Sequence, residues 1–194
     1  GGSTGAGKST LVNSIVGERV TESGVLRPTT RSPVLVHHPD DAEWFQPDRI
    51  LPDLPRTTEI GNGTYALRLR STTKVPQGLA ILDAPDVDSI DRGNRELAAQ
   101  LLAAADLWLF VTSAARYADQ VPWDYLGKAA ERSTSVAVVL DRTHDDAVVE
   151  VRGHLARMMT SRGLSDSPLF PVPEYAVGED GLLPRAAVAP ISTM

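Results

Sequence analysis

Residues 2–9 read Gly-Ser-Thr-Gly-Ala-Gly-Lys-Ser, which matches the phosphate-binding pattern G-x-x-x-x-G-K-S. In such a loop, glycines let backbone N–H groups converge on phosphate oxygens, and the N-terminus of the following helix adds a partial positive charge. Lys8 would reach the β- and γ-phosphates of a nucleotide, and the hydroxyl of Ser9 would ligate Mg²⁺. The residues that we expect to contact the nucleotide here are Gly2, Ser3, Thr4, Gly5, Ala6, Gly7, Lys8, Ser9 and Thr10.

A helix must follow this loop to position it, and the sequence predicts one. Apolar residues at positions 11, 12, 15 and 16 form one face of an amphipathic helix, and Gly17 can serve as its C-cap. A buried strand normally precedes such a loop, but the chain begins at Gly1 without an initiator Met. We therefore expect the chain to be a fragment that lacks its N-terminal strand, with frayed residues from Gly1 to about Gly7.

Asp83 is the second residue with candidate chemistry. It ends the apolar run 79–82, which is typical of a strand buried on both faces. An aspartate at a strand end, downstream of a phosphate-binding loop, fits a Walker B residue that holds Mg²⁺ through a water beside Ser9. The alternative is a plain turn, since aspartate is common where strands end.

The rest of the chain alternates between strands and helices. Strands are predicted at 34–36, 64–70, 107–111, 136–140 and 169–172, and helices at 94–105, 122–132 and 147–162, the last capped by Asp146. This order predicts one α/β domain over 1–194, with three layers in which helices cover both faces of a mostly parallel sheet. The polar, proline-containing segment 37–63 is interpreted as a surface insertion, and no element is predicted in the tail 178–194.

Composition excludes several classes of protein. The net charge of −6 does not favour direct binding of nucleic acid by the domain as a whole. No cysteine is present, so a disulfide framework and a thiolate metal site are excluded. The sequence also contains no run of 18 apolar residues that could span a membrane. We expect the protein to be cytoplasmic, because nucleoside triphosphates are found in the cytoplasm.

With these motifs in place, the chain resembles the dynamin-like and Era-like GTPases over most of its length. Segment 27–33 looks like their switch I, with Thr30 at the position of the Mg²⁺-ligating threonine. Segment 83–86, Asp-Ala-Pro-Asp, is similar to their D-x-P-G motif, and segment 141–144, Asp-Arg-Thr-His, stands where they carry the guanine-reading N-K-x-D.

This resemblance implies a P-loop NTPase fold of the G-domain type, in the TRAFAC class, with GTP or GDP and Mg²⁺ as cofactors. It implies catalytic roles for Lys8, Thr30 and Asp83, and a metal site of Ser9, Thr30 and Asp83. The base would be contacted by Asp141, Arg142 and His144.

Switch II departs from the family pattern in two places. Asp86 replaces a glycine whose N–H contacts the γ-phosphate, and its carboxylate would repel that phosphate unless it turns away. Val87 stands where Ras-type proteins place a water-orienting glutamine, and Gly5 stands where some relatives hold K⁺ with an asparagine. We therefore expect slow hydrolysis unless a partner, a dimer or an arginine such as Arg27 or Arg31 completes the site.

The base-reading motif departs further. His144 offers at most one acceptor nitrogen where the family uses an aspartate that accepts two hydrogen bonds, although Asp145 could serve if the loop shifts. Asp141 replaces an asparagine and loses its amide donors, whereas Arg142 can still stack on the base as lysine does. Preference for guanine over adenine is therefore left open by these residues.

Several functions remain on the sequence alone. The first is a GTP-hydrolysing switch or assembly module that can form a homodimer through this domain and works with flanking domains, in the cytoplasm or peripherally at a membrane. The alternatives are a nucleotide-binding scaffold with negligible turnover and an ATP-binding P-loop ATPase, although the L-S-G-G-Q signature of one such class is missing. The aromatic stretch 115–125 either packs a helix or forms a contact surface for a second copy.

Overall fold

The computed structural model describes residues 1–2, 7–22, 32–58, 66–89, 91–132, 134–143 and 147–194. Within these ranges, the strands are β1 (Val34–His37), β2 (Arg56–Thr57), β3 (Leu67–Ser71), β4 (Ala80–Asp83), β5 (Leu107–Ser113), β6 (Ser135–Thr143) and β7 (Leu169–Pro173). The α-helices are α1 (Lys8–Val16), α2 (Arg92–Ala103), α3 (Gln120–Glu131), α4 (Val148–Ser161) and α5 (Arg185–Ser192). No helix in the described part of the chain is both long and apolar enough to cross a membrane.

The strands form two sheets, in the orders β2-β3-β1-β4 and β5-β6-β7. Every strand pair is parallel except β1 with β4, which run antiparallel with Val34 opposite Asp83. Gly2 forms an isolated parallel bridge with Val111, so the first two residues lie along β5. The expectation of an α/β fold with mostly parallel strands is confirmed, whereas a strand before Gly1 stays a prediction.

Helices cover both faces of the second sheet. Neighbouring residues of β6 pack on opposite sides, with Val138 in a cluster that includes α2, α3 and α4, and Val139 in a cluster that includes α1 and α5. This alternation follows from the two-residue period of a strand. Helical side chains in these two clusters are Leu102, Leu126 and Leu155 on one side, and Leu11, Val188 and Ile191 on the other.

Helices α1 and α2 join the two sheets into one core. Leu11 of α1 packs beside β5 and β6, while Val16 of the same helix packs against β1. In α2, Leu101 packs with the first sheet and Leu102 with the second. Burying each such leucine contributes roughly 2 kcal/mol to the free energy of folding, so these contacts help to hold the two sheets together.

The predicted strands and helices lie close to the observed ones, but three details differ. Strand β4 is only half-buried at Ala80, Ile81 and Leu82, because it is the last strand of its sheet among the described residues and not an interior one. Helix α5 was not predicted, since its sequence is short and contains Pro190. Helix α4 begins with Ala147 as its N-cap, while the predicted cap at position 146 lies outside the described residues.

The aromatic stretch after β5 is partly used for packing. Trp123 is 2% exposed and lies in the main core cluster, with its ring N–H donating to the carbonyl of Tyr117. Tyr117 and Tyr125 are half-buried. The packing interpretation therefore holds for Trp123.

The segment expected to be a surface insertion has internal structure. It contains a 3₁₀-helix (Pro39–Phe45) and β2, and it buries Leu51 and Leu54 in the core of the first sheet. The guanidinium of Arg56 donates to five backbone carbonyls, those of Phe45, Gln46, Ile50, Leu51 and Leu54. One side chain thus satisfies carbonyls that no strand or helix pairs, which explains how a segment with so little regular structure keeps its shape.

We expect Arg56→Ala to lower the free energy of unfolding by roughly 2 kcal/mol, since hydrogen bonds to a charged donor are lost together. Arg56→Lys should recover little, because an ammonium cannot reach five carbonyls in a fork. Urea unfolding followed by tryptophan fluorescence measures the change, and Trp44 reports from within the segment. The matched control is Arg49→Ala, whose side chain is exposed over the Trp44 ring; equal losses in the two variants would contradict the role of Arg56.

Candidate functional site at the start of helix α1

The N-terminus of α1 is shaped by Gly7, its N-cap residue. Gly7 adopts φ +83°, which favours glycine, and a Cβ atom there would lie 2.5 Å from Oδ2 of Asp141 and would displace that carboxylate. The two following residues, Lys8 and Ser9, are 4% and 2% exposed. The first turn of α1 carries no acidic residue that would offset the positive end of the helix dipole.

The structure brings Ser9 and Asp83 together, as the two sequence motifs predicted. Ser9 Oγ donates to Asp83 Oδ2 over 2.9 Å, and Asp83 is itself buried at the end of β4. Hydroxyl and carboxylate oxygens are suitable ligands for Mg²⁺, which usually completes its shell with waters and substrate phosphates. Among the described residues, no group of three His, Cys, Asp or Glu side chains could hold a metal. This small donor set fits a nucleotide-bound Mg²⁺, and its metal role stays a prediction.

Thr21 is a site residue that the sequence analysis missed. Its Oγ1 donates to the same Asp83 oxygen over 2.7 Å. Asn13 of α1 holds this segment, because its Oδ1 accepts from the backbone N–H groups of Val20 and Thr21 and its Nδ2 donates to the carbonyl of Thr21. A fully buried asparagine within an amphipathic helix was the available signal, since a buried amide needs partners.

Lys8 forms an ion pair with Asp86, the aspartate that stands where the dynamin-like and Era-like GTPases have glycine. The side chains of the two residues are only 5% and 16% exposed. Val87, the next residue, is fully buried in the main core cluster, and its N–H donates to the carbonyl of Gly2 over 3.2 Å. A buried valine cannot orient a water molecule, so any attacking water needs another partner.

Asp141 and Arg142, from the predicted base-reading motif, lie at the carboxyl end of β6 beside Gly7. Asp141 is 6% exposed, and its Oδ1 accepts from the N–H of Arg142 over 2.9 Å. Arg142 adopts φ +54°, a left-handed conformation that is rare for a side chain of this size and clusters at functional sites. Burial raises the pKa of the Asp141 carboxyl from 3.8 to about 6; Arg142 opposes this rise, and Glu174 adds to it.

The remaining predicted site residues are only partly covered by the structure. Gly2 is buried, and Thr10 is half-buried with its carbonyl accepting from Ser14 Oγ. The positions that lie outside the described residues are Ser3, Thr4, Gly5, Ala6, Arg27, Thr30, Arg31, His144 and Asp145.

The buried carboxyl of Asp141 makes stability depend on pH. The folded chain binds its proton more tightly than the unfolded chain does, so the free energy of unfolding should fall as pH rises from about 4 to about 6. Asp141→Asn removes this ionisation and keeps the acceptor for the N–H of Arg142. We expect the variant to be more stable above about pH 6 by on the order of 2 kcal/mol and no more stable below about pH 4.

Urea unfolding across this pH range measures the effect. Asp166→Asn is the control, because it removes one negative charge from an exposed position on the loop after α4. A gain from Asp141→Asn that is the same at every pH would contradict the assignment, since it would arise from the amide and not from the lost ionisation.

Comparison with known proteins supports the fold but does not name a family. No protein-family model and no curated protein matches this chain. Among solved structures it is similar to a chain from an oligomerised bacterial dynamin pair, described as providing a mechanism for the long-range sensing and tethering of membranes. The two chains share 15% identity with a TM-score of 0.60, over 89% of this chain and 32% of that one. This chain thus spans about a third of that dynamin, and the likeness is one of fold.

Proposed function

We propose that this chain binds GTP with Mg²⁺ and hydrolyses it to GDP, as a switch or assembly module of a dynamin-like or Era-like protein. The observation that carries the proposal is the meeting of Lys8, Ser9 and Asp83 at the start of α1. Asp141 and Arg142 approach the same helix end from β6. Three sequence motifs that are far apart in the chain therefore converge where a P-loop would hold phosphates.

Each residue has a distinct role in this proposal. The ammonium of Lys8 holds phosphate oxygens, and the N-terminus of α1 adds partial positive charge. Ser9 and Asp83 would hold the metal, with Thr21 orienting the carboxylate. When bound, Mg²⁺ supplies charge neutralisation at the phosphates. We further propose Thr30 as a metal ligand and His144 as a base contact, on the resemblance of their motifs alone.

A scaffold with negligible turnover is the second candidate, and Val87 favours it. This residue is fully buried, and so it leaves the attacking water without the partner that Ras-type proteins use. Hydrolysis by this domain would then depend on a group from a second copy or from another domain. One candidate for such a group is Arg116 of a second copy. In this chain its half-exposed guanidinium pairs with Asp88 in the switch II segment over 3.6 Å.

We propose assembly with the same comparison as its support. The similar bacterial dynamin is an oligomerised pair, and we propose that this domain likewise contacts a second copy of itself. We also propose that the full protein works in the cytoplasm or peripherally at a membrane, with flanking domains that read the nucleotide state.

Competition between GTP and ATP for the Mg²⁺-loaded full-length protein tests the proposal. We expect GTP to displace a fluorescent nucleotide at a lower concentration than ATP does, and Lys8→Ala to lose both, since the phosphate contact is gone. Equal affinities, or a preference for ATP, would overturn the GTPase assignment while keeping a nucleotide site. Retained binding in Lys8→Ala would overturn the site itself.

Ser9→Ala separates the metal role from nucleotide binding. We expect Mg²⁺ to increase the affinity of the wild-type protein for GTP, and this increase to fall roughly tenfold in the variant, because one metal ligand is lost. Titrations with Mg²⁺ and with EDTA measure the difference. The control is Ser192→Ala, which removes a hydroxyl from the exposed face of α5. A metal effect of wild-type size in Ser9→Ala would contradict its role as a ligand.

A further inference from the structure

We propose that Asp86 is a built-in competitor for the terminal phosphate of the nucleotide. Its carboxylate holds the ammonium of Lys8, and a triphosphate must displace it before Lys8 can hold the γ-phosphate. Asp86 would thereby lower affinity for the triphosphate more than for the diphosphate. This inference rests on the proposed function and assigns to it a residue that sets the choice between the two nucleotides.

The first step is the chemistry of Lys8. A lysine in this motif reaches the β- and γ-phosphates, and its ammonium donates to anionic oxygens at short range. A phosphate oxygen that binds this ammonium at short range competes with the carboxylate oxygen of Asp86 for its N–H donors. The side chain of Lys8 is only 5% exposed, so it has little room to turn toward a second anion elsewhere.

The second step is the placement of Asp86, which the fold holds beside Lys8. Asp83 on one side is fixed by the hydroxyls of Ser9 and Thr21. Val87 on the other side is fully buried, and its N–H is bonded to the carbonyl of Gly2. The backbone of Asp86 therefore lies between two anchored residues. To leave Lys8, the carboxylate of Asp86 would therefore have to move by rotation of its side chain.

The third step is the balance of charge. Asp83 and Asp86 place two carboxylates near the ammonium of Lys8, and Mg²⁺ held by Ser9 and Asp83 would compensate for one of them. A diphosphate ends at the β-phosphate, so Asp86 can stay close to the position beyond it. A triphosphate brings further negative charge to that position and repels the carboxylate at short range. The competition therefore falls mainly on the triphosphate.

Isothermal titration calorimetry of the full-length protein with Mg²⁺ and either GDP or GTPγS tests the inference. In Asp86→Asn, which keeps the shape and removes the charge, we expect affinity for GTPγS to rise roughly tenfold to a hundredfold. Affinity for GDP should change much less. Asp86→Gly should behave in the same way, which excludes an effect of the new amide on Lys8.

Asp88→Asn is the matched control, because it removes a charge from the same segment. Its carboxylate pairs with Arg116, so the ratio of GTPγS to GDP affinity in this variant should stay at the wild-type value. Thermal unfolding without nucleotide gives a second readout. Asp86→Asn should unfold at a lower temperature than wild type, since the buried ammonium loses its ion pair with this carboxylate, and added GTPγS should more than restore the difference.

Three results would count against the competitor. An unchanged ratio of the two affinities in Asp86→Asn, with thermal unfolding still cooperative, would overturn it and leave the proposed function intact. A similar rise in Asp88→Asn would also overturn it, because the effect would be one of general charge. Absence of binding of either nucleotide to wild type and to all variants would overturn the proposed function and the competitor together.

Discussion

The carboxylate of Asp83 connects the parts from which the candidate site is built. One of its oxygens accepts from Ser9 at the start of α1 and from Thr21 in the segment after that helix. Because a buried carboxylate is costly without donors, these two hydroxyls set how the end of β4 meets α1. These hydrogen bonds also restrict where Lys8 and Asp86 lie, because Lys8 is next to Ser9 in the chain and Asp86 follows Asp83 by three residues.

The two sheets explain why the site forms at this place. β4 of the first sheet ends with Asp83, and β6 of the second sheet carries Asp141 and Arg142 near its carboxyl end. Helix α1 packs against both sheets through its apolar face, so its N-terminus lies where residues from both can reach it. β6 pairs in parallel with both of its neighbours, and the carboxyl ends of parallel strands are the usual position of ligand sites in α/β folds. The positive N-terminus of α1 favours anions, and the carboxylates of Asp83 and Asp86 lie in this region, which would also suit phosphate.

Helix and strand positions were predictable where they depend on neighbouring residues. Helix α1 begins after Gly7 and ends before Gly17, and both glycines adopt left-handed conformations, as the loop motif and the helix pattern indicated. The burial of β4 was overestimated, because an apolar run does not say whether a strand lies inside a sheet or at its edge. Helix α5 was missed because Pro190 masks the spacing of Ala187, Val188 and Ile191, whose packing against α1 and β7 stabilises it.

The sequence by itself determined which residues form the candidate phosphate-binding loop and the candidate metal carboxylate, because both predictions depend on residue type and on spacing within a few positions. The sequence also showed that Asp86 and Asp141 differ from the residues that dynamin-like and Era-like GTPases carry at these positions of their motifs. Only the tertiary structure decided that Asp86 pairs with Lys8, that Thr21 shares Asp83 with Ser9, and that Asp141 is buried against Gly7. These contacts join residues far apart in the chain, and their geometry depends on how two sheets pack around one helix.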